Sequence, residues 1–186
     1  MDTLAMISLA LGASWASGIN LYVTIVALGV LNLFGVAALP DSLDVLSNPV
    51  VLGIAAFLYL VNIFADKIPG VDSIWDAIHT FIRVPAGALF AAGAVVDVGE
   101  PLMVAAALLG GSAVALWSHA TRAGSREIVD TSPEPVSNWI ASFLEDIIVT
   151  VGISLALAKP VIFSRCWVSF VCSRFGLYRR SGGASS

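Results

Sequence analysis

Asp66-Lys67-Ile68-Pro69-Gly70-Val71-Asp72-Ser73-Ile74-Trp75-Asp76-Ala77-Ile78-His79-Thr80-Phe81-Ile82-Arg83-Val84-Pro85 is a charged interruption between two strongly apolar runs. Pro69-Gly70 reads as a turn. A helix is expected from about Asp72, where an acid suits both the cap and the dipole of the N-terminus. On that helix Asp72, Asp76, His79 and Arg83 fall at i, i+4, i+7 and i+11, within an arc of roughly 60°. Two carboxylates, an imidazole and a guanidinium make one stripe. The fold turns on whether that stripe meets water, lipid or protein.

Composition answers first. The chain of 186 residues is 58% hydrophobic and 12% charged, where a soluble domain carries about 25% charge. Its apolar runs reach the roughly 20 residues needed to span a bilayer. We read an all-α, polytopic integral membrane protein of five to six transmembrane helices. Residues 1–180 form one domain and residues 181–186 a disordered tail. Met1-Asp2 offers no basic start to a signal peptide. A net charge of −4, with no basic patch among aromatics, points away from nucleic acid. Cys166 and Cys172 lack CxxC spacing, so neither a disulfide framework nor a zinc site is indicated.

Working outward, the run from Thr3 to Leu39 is too long for one straight span. Inside it lies Gly12-Ala13-Ser14-Trp15-Ala16-Ser17-Gly18-Ile19-Asn20-Leu21-Tyr22, with Ser17, Asn20 and Thr24 on one face. Small residues and an amide within lipid mean either close helix packing glued by Asn20 or a discontinuous helix lining a site. Pro40 to Asp44 reads as a polar turn, and Asn48-Pro49 opens a span to about Ala65. The helix from Asp72 should run to about Val96, kinked by Pro85 and Gly87. A span from Leu102 to Ser118 follows, then a polar loop from His119 to Pro135, a helix from Val136 to Ala158, and an apolar segment from Val161 to Tyr178.

A weak repeat runs through these elements. Asn48-Pro49, a span, a polar link and Ser73-Ile74-Trp75 are echoed by Glu100-Pro101, a span, a polar link and Ser137-Asn138-Trp139. Asn138, Ser142 and Glu145 repeat the spacing of Asp72, Asp76 and His79, as parallel copies would. With six spans, Lys67, Arg122, Arg126, Arg179 and Arg180 share a side with both termini. The positive-inside rule makes that side cytoplasmic. Trp75, Trp117 and Trp139 fall at the same interface.

Arg83 is then about 12 Å below Trp75 and Glu145 about 9 Å below Trp139. Each charge at such depth costs roughly 2.5–3.5 kcal/mol on insertion scales, so these side chains should face one another or water. The expected cluster joins Asp76, His79 and Arg83 to Glu145 and Asp146, with Asp72 and Asn20 beside it. Three roles are open: a register lock, a polar pathway for an ion or small solute, or a metal or acid–base set at the surface. On the cytoplasmic side Asp66, Lys67, Arg126, Asp130 and Glu134 are candidate loop contacts.

The Gly12–Tyr22 stretch, the segment from Ala65 to Leu89 and that from Ser125 to Asp146 resemble a family of small multi-spanning membrane proteins. That family is widespread in bacteria and grouped as a domain of unknown function. The resemblance covers about a third of the chain and implies a polytopic inner-membrane protein without an assigned activity; Arg165 and Arg174 depart from its cleaner last span. The expected function is a small transporter or channel-like protein with a midplane polar site. The alternative is a membrane scaffold or lipid-interacting protein whose buried charges are structural, with a membrane-embedded enzyme third. No cofactor is expected; the lipid bilayer is the expected partner.

Overall fold

The computed structural model describes residues 2–65, 71–130 and 135–182. They form an all-helical bundle: α1 (Thr3–Leu33), a 3-10 turn (Asp41–Ser47), α2 (Pro49–Ala65), α3 (Val71–Val95), a second 3-10 turn (Val96–Val98), α4 (Pro101–Asp130), α5 (Pro135–Ala158) and α6 (Pro160–Gly182). Local chemistry sets the boundaries. Asp2 accepts the Ala5 N–H at 2.7 Å and so caps α1. Gly35, at φ +67°, closes it: the Val36 N–H reaches the Leu31 carbonyl and the Gly35 N–H that of Asn32. Proline stands first in α2, α4, α5 and α6, where its missing N–H costs nothing.

α1 is the hub and touches every other helix. It is broken at Asn20, whose φ −144° and ψ 100° are extended. Asn20 Oδ1 accepts the Val23 N–H at 3.3 Å, and the Asn20 carbonyl accepts from Thr24 Oγ1 at 2.8 Å. Asn20 is thus the N-cap of a second half-helix.

That second half doubles back. Ser14 Oγ donates to the Gly87 carbonyl at 2.7 Å and Ser17 Oγ to the Arg83 carbonyl at 3.4 Å, so α1 and α3 run antiparallel. In this register Gly93 lies beside the beginning of α1. Ser42 donates to the Gly93 carbonyl, and the Leu43 side chain covers Gly93. The Leu46 carbonyl, in the same 3-10 turn, presses on Gly29. In a straight helix Gly29 would lie about 22 Å beyond Ser14, on the side away from Gly93. The three residues from Leu43 to Leu46 advance only about 6 Å. Both contacts are met only if the chain reverses at Asn20. Val30 and Thr150 accordingly line one cleft, although Gly152, half a turn further along α5, meets Trp15.

The reversal also resolves a length problem. Thirty-one residues of helix would be about 46 Å, against a hydrocarbon core of about 30 Å. Both ends of α1 lie at the end of the bundle that carries the two 3-10 turns. α4 runs alongside the first half of α1, with Gly111 beside Ser14 and Ser118 beside Gly18. α5 runs against it, with Ser8 Oγ on the Ala156 carbonyl at 2.9 Å. Hence α3 and α5 are parallel to each other, as the repeat requires. α6 passes from Phe163, against Gly12, to Phe170, beside Trp117.

Among the described residues four helices are long and apolar enough to cross a membrane: Thr3–Leu33, Ile78–Val98, Pro101–Ser125 and Ile140–Ala158. The first 3-10 turn with α2, bent by 62°, makes up to five, and Pro160–Ser173 is a shorter apolar helix. The chain is a multi-pass membrane protein. Large apolar side chains such as Phe57, Phe81, Leu102 and Leu109 are exposed on its outside, as lipid-facing residues are. One expectation fails here: the polar stretch from His119 is helical as far as Asp130, where α4 ends, and residues 131–134 lie outside the described residues. Trp117 is half-buried within α4, in edge contact with Trp167.

Candidate functional site

Charged and polar groups collect where α1 breaks. His79 and Arg83 project from α3 and are 2% and 1% exposed, so these two members of the stripe face the protein interior. Tyr22, just past the break, meets His79: its hydroxyl lies 2.7 Å from Nε2. One turn along α3, Arg83 Nη1 is 3.4 Å from His119 Nδ1 of α4, and His119 Nε2 is 2.7 Å from Thr80 Oγ1. A guanidinium can only donate, so Nδ1 accepts and the His119 proton sits on Nε2, which donates to Thr80. His119 is thus held as a neutral imidazole with both nitrogens engaged.

A second group spans α1, α2, α4 and α5. Arg122 Nε donates to Glu145 Oε2 at 2.9 Å, with the arginine side chain 5% and the glutamate 18% exposed. The adjacent Asp146 points the other way, since neighbours on a helix diverge by about 100°. Its Oδ1 accepts from Asn20 Nδ2 at 2.8 Å, and its Oδ2 accepts from the Tyr59 hydroxyl of α2. The Asn20 amide is used at both ends, its oxygen capping the half-helix and its nitrogen holding Asp146. Asp146 and Tyr59 open onto a cleft of about 350 Å³ whose remaining lining is apolar except for Thr150. The N-terminus of the half-helix, a favourable place for negative charge, lies beside this carboxylate.

Close packing makes these contacts reachable. A Cβ at Gly18 would strike Ser118 Oγ and the Ala115 carbonyl, so α1 and α4 meet backbone to backbone at the level of the break. Among the described residues no group of three or more metal-ligating side chains comes together.

The expected site residues divide as follows. Asn20 and Asp146 meet directly, and His79 and Arg83 lie in the interior. Between described residues, Glu145 pairs with Arg122, and Arg83 meets His119; the expected bridge from Arg83 to Glu145 or Asp146 is not among those contacts. The expectation rested on α3 facing α5, whereas α1 lies between them and α4 supplies the partners. Asp66, Lys67 and Glu134, and the side chains of Asp72, Asp76, Arg126 and Asp130, lie outside the described residues. Sequence reasoning assigned no role in the cluster to Tyr22, Tyr59, His119 or Arg122. Arg122 had a legible signal: Gly111, Ala115, Ser118 and Arg122 keep the alternating four- and three-residue spacing of a packed helix face.

No curated protein and no solved structure is similar to this sequence. The family model for the Domain of unknown function (DUF4126) matches residues 7–180, which reach into all six helices, and the chain belongs to that family.

Proposed function

We propose that this protein is a small transporter or channel-like protein of the inner membrane that moves a proton or small cation, with Asp146 as the group that takes it. The observation that carries this reading is a half-buried carboxylate held at the tip of a broken helix, on the wall of a cleft. Broken helices with polar groups at their tips are how membrane transporters build ion sites. Ionisable groups in the membrane interior serve as proton relays when they are not merely paired.

The chemistry follows from the contacts. With Asp146 ionised, Asn20 Nδ2 and the Tyr59 hydroxyl both donate to it. A proton arriving on Oδ2 removes the acceptor that Tyr59 uses, so the Tyr59 hydroxyl must rotate away or accept instead. A cation replacing that proton would take the same oxygens. Either event loosens the tie between α2, α5 and the break in α1, which couples occupancy to helix position. In this reading the end of the bundle where α4 ends and α5 begins is cytoplasmic. α1 then enters and leaves from the opposite face as a re-entrant hairpin.

A structural scaffold is the second reading, favoured by the ion pair of Arg122 and Glu145 and by the fully engaged His119 ring. Flux measurements in proteoliposomes separate the two. Transport predicts that Asp146→Asn abolishes proton or monovalent-cation flux while the protein stays folded. Wild-type vesicles no leakier than empty ones under proton, sodium and potassium gradients would leave the scaffold reading in place.

A further inference from the structure

Among the described residues no basic side chain pairs with Asp146: its two side-chain hydrogen bonds come from neutral donors, Asn20 Nδ2 and the Tyr59 hydroxyl. The neighbouring acid is already matched, since Glu145 is paired with Arg122. The N-terminus of the half-helix after Asn20 supplies roughly half a positive charge, which leaves about half of the carboxylate's charge unbalanced. The cleft beside it holds no cation of its own. Val23, Val26 and Val30 line it from one face of α1, Ala56 and Tyr59 from α2, and Thr150 from α5. The Thr150 hydroxyl is turned to the Asp146 carbonyl, at 2.8 Å. From Val23 to Val30 the cleft runs about 10 Å along α1, and the bond to Asn20 places the carboxylate at the end nearer the break. Ala56 and Thr150 are exposed on its flanks, so it opens toward the outside, where lipid lies.

Resting on the reading of Asp146 as the group that takes a cation, we propose that this cleft binds a small lipophilic organic cation of the quaternary ammonium class. Its charge lies against Asp146 and its apolar body along Val23, Val26 and Val30. Charge and surface select it together. A quaternary ammonium is held by charge and needs no lone pair, so Asp146 keeps both of its hydrogen bonds. Tyr59, on the same wall, brings an aromatic ring of the kind that attracts such cations. A metal ion takes a shell of about six oxygens. Only Asp146, Tyr59 and Thr150 bring side-chain oxygens to the cleft. A sugar or an amino acid would leave its polar groups unpaired against valine. The volume of about 350 Å³ keeps the ligand small, near the low end of the roughly 300–1,000 Å³ of small-molecule sites. Entry from lipid suits a cation that carries its own apolar cover, whereas a hydrated ion must first shed water.

Isothermal titration calorimetry of the detergent-solubilised full chain tests it, with benzyltrimethylammonium, sodium and benzenesulfonate as probes. The expected result is one benzyltrimethylammonium per chain, bound at least about tenfold more weakly by Asp146→Asn. Ala56→Trp fills the cleft from an exposed position and leaves Asp146 in place. It should lose the cation at an unchanged melting temperature. Undiminished binding by either variant overturns the proposal. Sodium displacing the organic cation at a comparable concentration also overturns it, because the site would then be a metal site. Benzenesulfonate binding as tightly overturns it too, because the cleft would then be an apolar surface blind to charge. Flux is read separately in proteoliposomes. Wild type that binds no benzyltrimethylammonium overturns this proposal, and Asp146-dependent proton flux in the same protein would leave the transport reading standing. Binding without flux of any ion keeps the ligand of the cleft and removes transport.

Discussion

Asn20 donates through Nδ2 to Asp146 Oδ1 at 2.8 Å, joining residues 126 positions apart in the sequence. The same side chain caps the half-helix that starts at Leu21. One amide therefore fixes both where α1 turns and where α5 stands. Asn20→Ala should lose the cap and leave Asp146 with one donor fewer, at a cost of about 1–3 kcal/mol. Thermal unfolding in detergent measures it, with Asn20→Asp as the sharper variant. That change keeps a capping oxygen but sets a second acid against Asp146, so it should unfold earlier than Asn20→Ala. Equal melting temperatures for all three proteins would show that the contact carries no stability.

The reversal of α1 makes a topological prediction. In a background with Cys166→Ser and Cys172→Ser, single cysteines at Asp2, Asp44 and Asp97 should all react with a membrane-impermeant maleimide from the same side of the vesicle. All three lie at the end of the bundle carrying the 3-10 turns. A straight α1 would place Asp2 and Asp44 on opposite sides, and labelling of only one of them from outside would refute the re-entrant arrangement.

The ion pair of Arg122 and Glu145 is largely shielded from solvent. Removing one partner leaves an uncompensated charge, so Glu145→Gln or Arg122→Met should each destabilise the protein by roughly 3–5 kcal/mol. Replacing both by apolar residues should recover most of that loss. The check is a double-mutant cycle in detergent. Strict additivity of the two single losses would mean that the pair does not act as a pair.

Gly18 has no space for a side chain between α1 and α4, whereas a Cβ at Gly110 meets nothing within 4 Å. Gly18→Ala should therefore cost about 1–3 kcal/mol through overpacking. Gly110→Ala should be neutral or stabilising by up to about 1 kcal/mol, the helix-propensity gain. The paired melting curves test backbone contact at the break directly, since a propensity effect alone would raise both.

The sequence by itself determined that this is a helical membrane protein and where most helices begin. Apolar runs exceed a bilayer's thickness, and Asn48-Pro49, Pro101, Pro135 and Pro160 carry local instructions that need no tertiary partner. It also left the stretch around Asn20 either as close packing or as a discontinuous helix, and it read His79 and Arg83 as inward-facing, because charges at that depth are costly in lipid. Where α4 ends was misread. From His119 onward the composition turns polar, but polarity along a helix that faces protein is no signal for a loop. What only the tertiary structure decided is the pairing. Arg83 reaches His119 rather than Glu145, and Arg122 takes Glu145, because α1 folds back into the centre of the bundle and separates α3 from α5. That reversal depends on one residue's backbone angles and on Gly29 resting against the Leu46 carbonyl. Periodicity along the chain records which face of a helix is buried, but not which helix covers it.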